Sequence, residues 1–165
     1  MLKSEQPLLQ VRNLTIAFEN DETHALSTIV QDVSFNVRRG EILCIVGESG
    51  CGKTVSSMCI PRLLPSPPAK VLGGEILFEG EDLLKLPMAK MRAYRGRKIG
   101  VIFQDPMTAL SPLVRIGDQI VESLHIHFPT MARAEARAKA LIWLEKVGIP
   151  EPARVMRSYP HELSG

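Results

Sequence analysis

No apolar run in this chain approaches the ~18 residues that cross a bilayer, so no membrane-spanning helix is expected. The opening stretch, MLKSEQPLLQV, lacks the apolar core of a signal peptide, and a cytoplasmic location follows as the default expectation. Cysteine is scarce. Cys44, Cys51 and Cys59 are odd in number, and their spacing suits neither a disulfide framework nor a zinc site. Charge of either sign is not in excess: 20 Lys and Arg face 18 Asp and Glu, a formal net charge of +2. A charge balance this even implies no basic face for nucleic acid, which is not an expected partner. The 165 residues suffice for one domain with a real core.

What is present centres on GESGCGKT, residues 47–54. It fits G-x-x-x-x-G-K-[ST] without a gap, with Gly47, Gly52, Lys53 and Thr54 at the fixed positions. The apolar run EILCIV before it reads as a buried strand. TVSSMCIPRLL after it places Val55, Met58, Cys59 and Leu63 at helical spacing. Strand, glycine loop and helix form the context of a phosphate-binding loop. Gly47, Gly50 and Gly52 let the backbone come close to a ligand. Successive N–H groups can then face an anion at a helix N-terminus. Lys53 adds a positive charge for the β- and γ-phosphates, and Thr54 a hydroxyl oxygen for Mg²⁺. Within the loop, Cys51 reads either as a tolerated small side chain or as a reactive thiol.

Around this centre, residues 8–18 (LLQVRNLTIAF) read as a strand with a parity slip. Leu9 and Val11 share one face; Leu14, Ile16 and Phe18 share the other parity, and a bulge at Arg12-Asn13 reconciles them. IVQDVSFNV alternates as a second strand, so the opening predicts a small antiparallel layer. Four prolines between Pro61 and Pro68 end the helix after the glycine loop. GGEILFEG and KIGVIF read as strands, and LPMAKMRAYR as a short helix. Ile116, Ile120, Val121 and Leu124 mark an amphipathic helix. A longer helix runs from about 132 to 147, with Ala134, Ala138, Leu141 and Ile142 in phase, stopped by Gly148 and Pro150. A last short helix covers 151–158.

A phosphate loop does not specify the chemistry. Hydrolysis needs a second carboxylate for Mg²⁺, usually an Asp ending an apolar strand, and a polar group to orient water. Nowhere do four apolar residues precede an Asp. The nearest case is Asp105 in VIFQDP, after Gln104. Either the chain is incomplete or nucleotide is bound without being hydrolysed. The end at Gly165 favours the first, and then a missing core strand would leave apolar strand edges exposed. The 165 residues alone are expected to show little or no ATPase activity.

Together with GESGCGKT, the stretches IGVIFQDPMTALSP and YPHELSG resemble the ATP-binding subunit of an ABC transporter. They are most similar to the branch importing dipeptides, oligopeptides, nickel or glutathione. The resemblance covers essentially the whole chain. It implies an α/β fold: the P-loop NTPase core of an ABC nucleotide-binding domain, a small antiparallel β layer and the start of a helical subdomain. Residues 1–105 would carry the layer and core, and 106–165 the Q-loop and helical subdomain. ATP and Mg²⁺ are the implied cofactors. Gly47, Glu48, Ser49, Gly50, Cys51, Gly52, Lys53 and Thr54 would hold the phosphates, with Thr54 and Gln104 at the metal. Lys53 and Gln104 would carry the catalytic roles. Phe18 falls where the family stacks an aromatic on adenine; as read from the residues, it could equally be a core phenylalanine ending a strand. Ser164 and Gly165 match the start of the LSGGQ signature, which contacts the γ-phosphate bound by the partner. The partners implied are a second ABC ATPase subunit and membrane permease subunits that meet the Q-loop region, Asp105 to Pro112. The place implied is the cytoplasmic face of the cell membrane. The family usually has Ser where Cys51 stands. The rival readings are a soluble non-transport P-loop ATPase and a truncated product that only binds nucleotide.

Overall fold

Three long apolar-alternating segments at the start of the chain have no helical period, and they pair with one another. In the computed structural model, which describes residues 6–105 and 109–163, they form an antiparallel sheet. Its strands are β1 (Leu9–Glu19), β2 (Leu26–Val37), β3 (Ala69–Phe78) and the two-residue β4 (Glu81–Asp82), in the order β2-β1-β3-β4. The helices are α1 (Lys53–Cys59), α2 (Met88–Tyr94), α3 (Ile116–His127), α4 (Arg133–Lys146) and α5 (Pro152–Val155), followed by a 3₁₀ turn at Pro160–Glu162. The chain divides into two compact units, Met1–Arg95 and Gly96–Gly165.

The parity slip in β1 is a bulge shared by three strands. The register shifts between Val11 and Leu14 against β2, and between Arg12 and Thr15 against β3. Asn13 turns to φ 48° and Asp32, across from it, to φ 50°. Such a bulge leaves ladder groups unpaired, and side chains take them up. Asn13 N donates to Ser34 Oγ at 2.8 Å, Asp32 N to Thr15 Oγ1 at 3.1 Å, and Asn13 Nδ2 to Asp32 Oδ1 at 2.6 Å. The slip buries Val11, Leu14, Ile16 and Ala17 together, although they do not share one simple alternation. β3 meets the bulge with Gly74 at φ 93°. A Cβ there would lie 2.6 Å from both Arg12 O and Asn13 O. Gly74→Ala is therefore expected to lower stability by about 2–4 kcal/mol, since the obstruction is backbone on both sides. It should appear as a lower denaturation midpoint at an unchanged denaturant slope.

The second unit is helical. α3 enters against α5: Ile116 N donates to Ser158 O at 2.9 Å and Gly117 N to Met156 O at 3.1 Å. Gly117 is needed for this approach, because a Cβ would sit 2.4 Å from Met156 O. Ile116, Ala140, Leu144, Val155 and Met156 make the core. This corrects the phase read for α4. Its buried stripe is Ala136, Ala140 and Leu144, whereas Ala134 and Ala138 face solvent and Ile142 is 49% exposed. Small residues on the buried face let α3 and α5 come close, and alanine carries too little apolar weight for its face to stand out in the sequence. Gly148, at φ 79°, closes α4 as expected: Gly148 N bonds Glu145 O and Ile149 N bonds Leu144 O, both at 3.0 Å.

Two expected strands do not form. EILCIV and KIGVIF form no strand of a sheet, and Ile42, Val46 and Ile102 are 94%, 86% and 95% exposed. Both are apolar enough to be buried on two faces, but a strand exists only against a neighbour that takes its N–H and C=O groups. Among the described residues no strand pairs along them, and the KIGVIF segment makes only an isolated bridge, where Ile99 O accepts from Gly96 N at 2.9 Å. The α/β class holds, with the antiparallel layer and the helices as its ordered parts.

Candidate functional site

The glycine loop rises into α1 through two left-handed residues, Gly50 at φ 83° and Gly52 at φ 91°. Gly52 is buried against β2. A Cβ on it would lie 2.9 Å from both Ile29 O and Val30 Cγ2. At Gly47 a Cβ would lie 2.8 Å from Cys51 Sγ. At Gly52 backbone leaves no room for a side chain, while at Gly47 one would have to displace the Cys51 thiol.

Lys53 begins α1 and folds back over the loop. Its ammonium donates to Gly47 O at 2.7 Å and Glu48 O at 2.5 Å, with Cys51 Sγ at 3.5 Å. One positive charge therefore stands at the mouth of the loop, held by backbone oxygens rather than by a carboxylate. Gly52 O accepts from Ser56 N at 2.8 Å and from Ser56 Oγ at 3.0 Å, which fixes the first turn. The amides of Lys53, Thr54 and Val55 have no intrahelical acceptor, as at every helix start. Thr54 is exposed beside them. Free first-turn amides, an ammonium and a hydroxyl at a cradle without room for Cβ atoms suit a phosphate chain and its magnesium.

Phe18 is half-buried near the end of β1, paired with Ser27 of β2 and Ala69 of β3. Ser27 lies two positions before Ile29, so Phe18 and Gly52 address the same stretch of β2. An open depression of about 440 Å³ lies beside Phe18, lined also by Asn20, Thr23 and Leu26. Its rim carries Glu19. A hydrogen bond from the Lys70 ammonium, 2.7 Å away, does most to hold that carboxyl below its usual pKa. Gln104 and Asp105 lie in an exposed bend of the second unit. Ser164 and Gly165 fall outside the described residues, as do residues 106–108 of the expected permease-facing loop. No group of three or more His, Cys, Asp or Glu side chains able to hold a metal occurs among the described residues.

The three thiols differ. Cys44 and Cys51 are exposed, while Cys59 is buried in α1 and burial pushes its pKa to about 11. Sequence reasoning missed two arginines that bear on α1. Arg62 stands at φ 53°, a conformation glycine prefers, and Arg95 donates to the carbonyls of Pro61 and Arg62. Neither has a motif around it that would have marked it.

Comparison with known proteins identifies the family. The family profile described as ABC transporter matches residues 30–165. The chain belongs to the ABC transporter family.

Its relatives narrow the branch. It is 49% identical over 158 residues to the "Probable peptide ABC transporter ATP-binding protein y4tR" of Sinorhizobium fredii, covering 96% of this chain and 46% of that one. It is 45% identical over 160 residues to the oligopeptide transport ATP-binding protein OppD of Bacillus subtilis, covering 96% and 43%. This ABC chain thus spans less than half the length of these two curated relatives. Among solved structures it is similar to the dimeric bacterial ABC transporter cassette MJ0796, with a TM-score of 0.79 at 26% identity, covering 95% of this chain and 63% of that one. The same cassette is known as a dimer in a post-hydrolysis state bound to ADP and Pi, at a TM-score of 0.78 and 25% identity. No helix among the described residues of this ABC chain is long and apolar enough to cross a membrane.

Proposed function

We propose that this chain is the nucleotide-binding part of an ATPase subunit that powers import of peptides or a related small solute through an ABC transporter. The observation that carries this is the wound loop at 47–54, with the Lys53 ammonium at its mouth and the free amides of α1 behind it. The peptide-transport relatives at 45–49% identity support the branch.

In this reading the loop amides and Lys53 bind the β- and γ-phosphates of ATP, and Thr54 supplies an oxygen to Mg²⁺. Magnesium, when bound, offsets charge on the phosphate oxygens. Phe18 stacks on the adenine, a use suited to a half-buried aromatic beside an open depression. Gln104, exposed in its bend, would be the polar group that holds the metal and orients the attacking water. Ser164 and Gly165, opening the signature, contact the γ-phosphate held by a second ABC ATPase subunit, so each site is completed in trans. The loop from Asp105 to Pro112 receives the membrane permease. The subunit then sits peripherally on the cytoplasmic face of the cell membrane, held there by its partners.

Expressed with its permease and binding-protein partners, the full-length protein is expected to co-purify with the permease in detergent and to drive ATP-dependent uptake of a labelled dipeptide or oligopeptide into vesicles. Full ATPase activity with no membrane partner and no uptake would favour a soluble ATPase instead.

A further inference from the structure

α1 is closed by an unusual residue. Its last turn ends in the same pair of bonds that ends α4: Arg62 N to Cys59 O and Leu63 N to Met58 O, both at 2.9 Å. In α4 the left-handed position of this motif is filled by Gly148, as conformation prefers. In α1 it is filled by Arg62, at φ 53°. A non-glycine residue held left-handed points to a use for its side chain. That side chain crosses to the segment between β4 and α2, where Arg62 Nη1 donates to Leu86 O at 2.6 Å and Leu83 O at 3.3 Å. A second guanidinium works in the opposite direction. Arg95, directly after α2, donates from Nε to Pro61 O at 2.7 Å and from Nη2 to Arg62 O. Among the described residues, every hydrogen bond of both groups goes to a backbone carbonyl and none to a carboxylate. Burial first, then the nearby charges of Arg62 and Arg92, lower the pKa of Arg95. Two cations are thus kept close together with only dipoles to compensate them.

We propose that Arg62 and Arg95 form a reciprocal clasp that positions the phosphate loop for nucleotide. α1 has only seven residues, so fixing its C-terminal end on the β4–α2 segment fixes Gly52, Lys53 and Thr54 at its other end. A rigid helix of two turns carries a displacement from one end to the other, and small displacements of binding groups cost affinity steeply. These are positioning residues, since neither belongs to the loop that meets the ligand. The proposal rests on the reading of residues 47–54 as the nucleotide site.

The test uses the full-length protein and three variants: Arg62→Gly, Arg95→Gln and Lys53→Ala. Affinity for MgATP is titrated with a fluorescent ATP analogue well below each melting temperature, and the melting temperature is measured without nucleotide. Arg62→Gly is the informative variant, because glycine relieves the left-handed backbone while the bonds of the Arg62 guanidinium to Leu83 O and Leu86 O are lost and those of Arg95 remain. It is expected to melt within about 4 °C of wild type and to bind MgATP about tenfold more weakly, with Arg95→Gln weakened at least as much. Affinities within about twofold of wild type in both arginine variants would overturn the clasp, whatever their stability. So would affinities that simply follow the melting temperatures. If Lys53→Ala also keeps wild-type affinity, the nucleotide assignment itself fails and takes the clasp with it. Loss at Lys53 with retention at both arginines refutes the clasp alone.

Discussion

Lys53→Ala in the full-length protein is expected to lower MgATP turnover by ~10²–10³-fold, the usual loss when a preorganised charge is removed from a phosphate-handling site. The expectation comes from where the ammonium stands. It is fixed at the loop mouth by Gly47 O and Glu48 O, and among the described residues no carboxylate pairs with it there. Its charge therefore remains for an anion, and the backbone oxygens fix its direction. Stability should change little, because the side chain is only half-buried and gives up two hydrogen bonds to backbone that solvent can replace. Steady-state hydrolysis with a parallel thermal melt separates the two effects. A variant that folds and turns over ATP at the wild-type rate would remove Lys53 from the mechanism.

Gly52→Ala is expected to do comparable damage for a different reason. At φ 91° an alanine is strained, by ~1–2 kcal/mol on conformation alone. Its Cβ would also be driven to 2.9 Å from Ile29 O and Val30 Cγ2. The first obstacle is backbone of a paired strand and cannot rotate away. α1 must then move off β2 and carry Lys53 and Thr54 with it, so MgATP affinity should fall by about tenfold or more. Gly50 supplies the control. It too is left-handed, at φ 83°, but a Cβ there would meet nothing within 4 Å. Gly50→Ala should show only the conformational cost, and its MgATP affinity should stay well above that of Gly52→Ala. Equal affinities for the two variants would mean that contact with β2 does not set the loop.

The site was legible where chemistry dictates residue type. G-x-x-x-x-G-K-[ST] marked the loop because glycine takes left-handed turns without strain and fits where Gly52 meets β2, while lysine brings an ammonium and threonine or serine a hydroxyl to the following helix. The bulge at Arg12-Asn13 was legible because a one-residue slip reverses every side chain after it, and the apolar residues recorded the reversal. Legibility ended where structure depends on a distant partner. EILCIV and KIGVIF have the composition of buried strands, but pairing belongs to the neighbour and not to the segment. The buried face of α4 was misread because Ala136 and Ala140 matter through their smallness, while Ile142 and Trp143, more apolar, stay largely exposed. Arg62 was invisible altogether. A positive φ at an arginine leaves no trace in sequence, and its acceptors Leu83 O and Leu86 O are carbonyls that any residue would present.

That nucleotide sits on residues 47–54 is tested most directly at Cys51. Its thiol is exposed inside the loop, 3.5 Å from Lys53 Nζ, while Cys59 is buried and, with a pKa near 11, stays protonated at pH 8. The rate of Cys51 alkylation in the full-length protein can be followed by peptide mass with and without MgATP. Saturating MgATP is expected to slow it by about tenfold, through cover of the thiol by bound phosphates, and the protection should vanish in Lys53→Ala. A Cys51 rate unchanged by saturating MgATP would contradict the account.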